Sequence, residues 1–390
     1  MNNIEGQIEI DLHPHESKNS SVEIRSSRPV HASQVMIGKT PEQALTLMPL
    51  MFGICGVAQS RAALKAIMQQ LEHHTCEAEE SARDILVLTE TAREQLLRIF
   101  MDWPELFATK RDNQLFPYIT GLIKKMTPAL FKEGRAFSLD SVLDPDIEQL
   151  QALIDELEQV LSTQVYQQAL SEWLHMSDIA DVTRWCEGSN SMIALSVRTL
   201  LDNNWENQGY PHSQSLPELE HWQLNERFEG ADAEGFISQP DWHGHPFETT
   251  TLSRQQSHPL IKNLQHGFEN TLITRWLARL VELASIPTQL RTLLDKMKQA
   301  NPVAIEAEAE YGIAQVEAAR GKLIHHVKVD GNAITQYQIL APTEWNFHPQ
   351  GLVQQNLSHI QARDDHELTQ ISRLMINAID PCVGYDLRIH

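Results

Sequence analysis

From Pro41 onward, long stretches of this chain are written in the period of an α-helix. The clearest is residues 146–174, where Ile147, Leu150, Leu153, Ile154, Leu157, Val160 and Leu161 recur at three- and four-residue steps. That spacing lays one apolar stripe along a helix, and the stripe must be buried against another element. Residues 78–102, 269–299 and 365–379 repeat the pattern, so the sequence predicts helices packed as a bundle.

Three regions depart from it. Residues 4–26 alternate apolar and polar, with Ile4, Ile8, Ile10 and Leu12 on one side of PHESKNS and Val22 and Ile24 on the other, which predicts a β-hairpin. KLIHHVKVDGNAITQYQIL holds two β-rich runs around Asp330-Gly331-Asn332, a second hairpin. Between 203 and 260 the helical period fails in favour of Gly, Pro, Asn and aromatics, predicting a long ordered excursion. The expected fold is therefore mainly α with small β hairpins, as one domain over 1–390. Its parts are an N-terminal hairpin (1–30), a helical body (40–200), the excursion (203–260), and a last segment (265–390) of helices, hairpin and C-terminal cysteine motif.

The formal charge of −21 argues against phosphate-backbone binding, so no nucleic-acid partner is expected. No run of 18 apolar residues exists, so membrane insertion is not expected either. The opening MNNIEGQIEIDLHPHE has neither a basic n-region nor an apolar h-region, which points to the cytoplasm. Four cysteines in 390 residues are too few for a disulfide framework, leaving metal or redox chemistry or simple burial. Cys76 and Cys186 are read as buried hydrophobes.

Cys55 and Cys382 read differently. Cys55 stands in Gly-Ile-Cys-Gly at the start of an Ala-rich helix, where the helix N-terminus is expected to lower its pKa and favour a metal-binding thiolate. Yet position 58, where a C-x-x-C partner would stand, is Ala58. Cys382 follows Asp380-Pro381, a second fixed turn. Two such turns brought together would offer two thiolates to one soft metal. His73, His74 and Cys76 read as a solvated helix end. His325 and His326, adjacent on a strand, face opposite sides, while His243 and His245 share a side only if their loop is extended. No G-x-S-x-G, Walker loop, G-x-G-x-x-G or H-E-x-x-H is present.

Taken in order, the unusual segments resemble a family. IEGQIEI (4–10) resembles the R-I-E-G-H opening of nickel–iron hydrogenase large subunits, and GICGVA (53–58) their R-I-C-G-V-C. PDWHGHPFETTTLSR (240–254) resembles P-x-x-x-G-x-P-x-E-x-G-x-L-x-R. Residues 317–346 are similar to E-A-P-R-G-x-L-x-H followed by P-T-T-W-N, and DPCVGYD (380–386) to D-P-C-x-x-C-x-x-H. The resemblance implies a large-subunit-like helical bundle. In that family four cysteines hold nickel together with an iron carrying two cyanides and one carbon monoxide. Cys55 and Cys382 match the terminal nickel ligands, whereas the bridging positions are Ala58 and Tyr385 and the closing histidine falls at Arg388. Arg320 matches the arginine beside the cyanides, Pro342 and Thr343 the segment lining the diatomic ligands, and Glu5 the proton-relaying glutamate. Gly53, Gln7 and Ala319 stand where the family has Arg, His and Pro.

Methyl and phenol groups cannot bridge metals, so a permanent binuclear site and hydrogen cleavage are not expected. The pattern resembles the HupK/HoxV type of hydrogenase maturation protein. The implied function is a non-catalytic scaffold that transiently holds the iron dicyanide–carbonyl fragment, without nickel, and passes it on. The partners implied are the hydrogenase large-subunit precursor and other maturation proteins. The chain ends eight residues after Cys382, so the C-terminal clipping of nickel-loaded subunits is not expected. A metal-free structural subunit, as in the complex I relatives of this fold, is the competing reading, and a hydrogenase with altered ligands a third. Whether Tyr385, Asp386 or His390 adds a ligand stays open.

Overall fold

In a computed structural model the described residues are 6–15, 19–71, 73–300, 304–305 and 311–390. Glu5 lies outside them. The N-terminal hairpin forms as expected: Ile8–His13 pairs antiparallel with Ser21–Ser26, Ile10 opposite Ile24 and Leu12 opposite Val22. The alternating residues Ile8, Ile10, Leu12, Val22 and Ile24 are buried, because period-2 alternation puts every second side chain on one face. The last residues, read from sequence as a tail, instead make a third strand. Tyr385–Ile389 runs parallel beside Ile8–His13, Ile10 opposite Leu387. Its partner lies at the far end of the chain, so no local pattern could announce it.

The helical body is organised around Leu272–Gln299, in which every residue from Leu272 to Ala284 is buried. A helix covered on all sides carries no stripe, and its polar members Arg275, Arg279 and Glu282 are enclosed with it. Glu77–Leu97 packs along it. The clearest predicted helix is real over Ile147–Val160, then loosens into a π turn over Leu161–Val165 and breaks before Leu170–Leu174. At the break Gln167 takes φ 51°, and the buried Tyr166 hydroxyl donates to the Leu280 carbonyl at 2.6 Å. A tertiary bond to the central helix thus overrides the local period. Asp365–Ile379 forms as predicted.

The 203–260 excursion is less irregular than its composition suggests, with short helices at His221–Glu229, Ala233–Ser238 and Thr251–Gln255. None is longer than nine residues, shorter than the window in which a helical period reads clearly. The excursion is tied to the core by a buried ion pair, Glu248 with Arg275, Nη2 to Oε2 at 3.0 Å.

The second hairpin also forms, Gly321–Asp330 against Ala333–Leu340, with Gly331 at φ 57° in the turn. A third strand unseen in the sequence, Ile313–Ala318, pairs with Gly321–Asp330. Its connection is the tight turn Ala319-Arg320. Gly321 follows at φ 128°, where an added Cβ would lie 1.9 Å from the Thr249 carbonyl oxygen, so only glycine closes this turn. The sheet packs on the helix Gly56–Gln70, whose Ala58, Ala62, Ala63 and Ala66 let Ala314, Ala318, Leu323 and Val327 come close. Cys55 and Arg320 are delivered to one place by that packing. Among the described residues no helix is long and apolar enough to cross a membrane.

Candidate metal centre

Cys55 occupies the residue just before Gly56–Gln70. A helix start leaves backbone N–H groups without partners, but here another residue takes them. Glu90, on the neighbouring Glu77–Leu97 helix, accepts from the Val57 N–H at 3.0 Å and the Ala58 N–H at 2.9 Å. The expected depression of the Cys55 pKa is therefore overturned. Burial, reinforced by Cys382 and Glu90 and opposed by Arg320, pushes the Cys55 thiol up to about 12. Glu90 is itself raised to about 7 by burial, in spite of its two N–H donors. The positive helix end is engaged by a carboxylate, so it does little for the thiol.

Gln59, one turn along, directs its side-chain amide at Cys55 Sγ at 3.8 Å. Its Oε1 meets the His325 ring at 2.8 Å, and the other ring nitrogen meets the Tyr337 hydroxyl at 3.0 Å. With the amide oxygen accepting, His325 carries its proton on Nε2 and accepts from Tyr337. Burial drives the His325 pKa down to about 3, so it stays neutral. His326 faces the other way as predicted, bonding Gln338 and stacking on Phe228.

Cys382 is placed by the opposite end of the chain. Asp380 ends the Asp365–Ile379 helix in a left-handed conformation, φ 69°, which turns the backbone before Pro381. Its carboxylate sits among three guanidinium groups: Arg98 Nε at 2.7 Å, Arg320 Nε at 3.3 Å and Arg279 Nη2 at 3.6 Å. Burial alone would raise its pKa, and these arginines hold it below the ordinary carboxylate value. Thr343 Oγ1 donates to Cys382 Sγ at 3.0 Å. Arg320 also donates through Nη2 to Glu94 Oε2 at 3.1 Å, while its buried Nη1 has no hydrogen-bond partner.

Cys55, Cys382, Arg320 and Pro342 line one cavity of about 300 Å³, and Thr343 joins it through its bond to Cys382. Four of the sequence-selected residues thus meet around one space and a fifth touches it. Tyr385, Asp386 and His390 are not on its wall. Tyr385 packs against the main core, Asp386 pairs with Arg388, and the His390 ring meets Asp11 at 2.8 Å. His243 stands at φ 52° in a turn closed between Trp242 and His245, so this loop is not extended and the two histidines do not form a site with the cysteines. Among the described residues no group of three or more His, Cys, Asp or Glu is gathered as a metal cage. Cys186 is buried as expected, its thiol also pushed up to about 12 by burial, whereas Cys76, expected to be buried with it, is only half-buried at the start of the Glu77–Leu97 helix.

Sequence reasoning missed Arg28, Glu344, Gln59, Glu90 and Glu94. For the last two a signal existed: carboxylates four residues apart on the buried face of a helix are costly unless they serve a structure. For Glu344 the signal was its place in Pro342-Thr343-Glu344-Trp345-Asn346, where the family pattern has Thr; for Arg28 there was none.

The chemistry available is specific. Two thiols can become soft ligands for one metal ion, and a guanidinium N–H held without a partner can donate to an anionic ligand on it. Ala58 is fully buried, and among the described residues the cysteines lining this cavity are Cys55 and Cys382.

Comparison with known proteins finds similarity to hydrogenases and to hydrogenase-formation proteins. Residues 213–385 match the nickel-dependent hydrogenase family. Along nearly the whole chain there is similarity to the hydrogenase expression/formation protein HupK of Azotobacter vinelandii, 25% identical over 385 residues and covering 98% of each chain. The corresponding protein HoxV of Cupriavidus necator is 26% identical over 379 residues, covering 93% of this chain and 91% of its own. Among solved structures, the Ni-Fe-Se hydrogenase of D. vulgaris Hildenborough in its reduced state superposes with a TM-score of 0.67 at 15% identity over 94% of both chains. The NAD+-reducing [NiFe]-hydrogenase superposes with a TM-score of 0.60 at 14% identity, over 93% of this chain and 92% of that one. At those identities the structures speak for the fold.

Proposed function

The chain is a nickel–iron hydrogenase large-subunit-like protein, and on that premise we propose that it serves hydrogenase maturation. In this reading it is a scaffold that holds an iron dicyanide–carbonyl fragment between Cys55 and Cys382 and passes it to the catalytic large subunit. The observation that carries the reading is that both thiols share one small cavity with Arg320, whose Nη1 is buried and without a partner. The names of the full-length relatives, hydrogenase expression/formation proteins, support the same role.

Each residue has a task. Cys55 and Cys382 bind iron through sulfur, and since the Cys55 thiol is held protonated, loading releases its proton to solvent. Arg320 donates to a cyanide nitrogen. Thr343 donates a hydrogen bond to the Cys382 sulfur, and Pro342 supplies apolar wall against the carbonyl. Glu5 is the proton-handling group that the family resemblance offers. Two thiolates hold the fragment firmly enough to carry and loosely enough to yield to a four-cysteine acceptor. The iron is cargo, nickel does not enter, and the chain turns over no hydrogen. Its partners are the large-subunit precursor and other maturation proteins.

The test is infrared spectroscopy with iron and nickel analysis on protein purified anaerobically from cells making the full maturation set. Cyanide and carbonyl stretches with iron but no nickel, lost in Cys55→Ala and in Cys382→Ala, are the expected result. A chain free of metal and of those bands would overturn the scaffold in favour of a metal-free structural subunit.

A further inference from the structure

Arg28 reaches the same cavity from a different part of the chain. It follows the N-terminal hairpin in Ser27-Arg28-Pro29, and it lines the cavity together with Glu344, which comes from the short helix Pro342–Asn346. The two form an ion pair through Arg28 Nη1 and Glu344 Oε1. Two further polar atoms of the pair are left over: Arg28 Nε and Glu344 Oε2 are both buried without a hydrogen-bond partner. The Glu344 side chain is only 8% exposed. A buried guanidinium N–H with no acceptor is a standing expense unless a ligand completes it. The backbone here is also closely fixed, since a Cβ added at Gly6 would lie 2.6 Å from the Arg28 Cα. Burial disfavours the Arg28 charge, but Glu344, Cys382 and Cys55 together hold its pKa above the ordinary value, so both sulfurs are within electrostatic reach.

Charge balance says what such a group is for. A ferrous ion with two cyanides and a carbon monoxide is neutral. Bound through two thiolates, with two protons released, the assembly becomes a dianion whose outward ends are hydrogen-bond-accepting cyanide nitrogens. Arg320 offers one free N–H to it. We propose that Arg28 is the second anion-holding residue of this cavity, its guanidinium pinned by Glu344 and its free Nε–H donated to a hydrogen-bond-accepting end of the cargo. This rests on the scaffold reading above and adds the residue that would let the cavity distinguish a dicyano iron unit from bare ferrous ion. Glu344 is a positioning residue, since it acts through Arg28.

The experiment compares the wild-type chain with Arg28→Gln, Arg28→Lys, Glu344→Gln and Cys55→Ala. Each is co-produced with the maturation factors, purified anaerobically, and read by iron content and by the infrared cyanide bands. Losing one charge-assisted hydrogen bond to the ligand lowers iron occupancy in Arg28→Gln by about tenfold, and shifts a cyanide band in the residual signal. Arg28→Lys, which keeps the charge but not the fork, falls between. Glu344→Gln moves the same band less. A purely structural ion pair would not move a cyanide frequency, so band position separates the two roles; should Arg28→Gln fail to fold, the band in Arg28→Lys decides. Unchanged bands and iron in the Arg28 variants, with iron lost in Cys55→Ala, overturn the Arg28 assignment and leave the scaffold intact. A wild-type chain without iron or cyanide bands overturns the scaffold and the Arg28 assignment with it.

Discussion

Thr343 Oγ1 lies 3.0 Å from Cys382 Sγ and donates to it. The two residues are 39 positions apart and come from different elements, the Pro342–Asn346 helix and the turn after Asp380. A hydroxyl donor favours an anionic sulfur over a protonated one. Thr343→Val should slow iodoacetamide alkylation of Cys382 at neutral pH by about three- to tenfold, the worth of one such bond. Thr343→Ser should restore it. Peptide mass spectrometry against time checks both, and equal rates in all three proteins would dismiss the bond.

Cys55, Cys186 and Cys382 should also differ in the order of their reaction. Burial holds the Cys55 and Cys186 thiols up to about 12, and Cys186 is 1% exposed. Native protein at pH 8 should therefore be alkylated at Cys382 before Cys55, and at Cys186 only on unfolding. Early labelling of Cys186 would contradict the packing around it.

Asp380 is the electrostatic keystone of the Cys382 turn. Asp380→Ala leaves Arg98, Arg279 and Arg320 clustered without the carboxylate between them. Breaking a buried ion pair from one side costs about 3–5 kcal/mol, and urea denaturation should register a loss of that order. The same variant should lose iron, since the turn that presents Cys382 depends on Asp380 at φ 69°.

Stability should depend on pH through His325 and Glu90, with opposite signs. His325 has its folded pKa driven from 6.5 to about 3 by burial. Between those values the unfolded chain binds a proton that the folded chain does not, so stability falls as pH drops from about 6.5 towards 3. Glu90 is raised from 4.5 to about 7, so between those values the folded chain holds the extra proton and stability rises as pH falls. His326, lowered by burial, acts with His325. His325→Asn should therefore lose less stability than the wild type between pH 6.5 and 5, measured by urea midpoints at each pH. Glu90→Gln should lose more. The reverse pattern would refute the buried neutral histidine.

The local layers of this protein were legible in its residues. Apolar spacing marked Ile147–Val160 and Asp365–Ile379, because a helix repeats its face every few residues. Alternation and Asp330-Gly331 marked the hairpins, because strands and tight turns have short-range rules. Motif order singled out Cys55, Cys382, Arg320, Pro342 and Thr343 before any geometry was known. The tertiary structure decided what those rules cannot reach. It paired Tyr385–Ile389 with Ile8–His13 across the whole chain, and it brought Arg28, which no motif includes, to the cavity beside Glu344. It also reversed the expectation for Cys55: Glu90, 35 residues away, takes the helix N–H groups, and burial keeps the thiol protonated. Side-chain type and spacing are properties of a segment, whereas desolvation and charge pairing depend on everything the fold packs around a group.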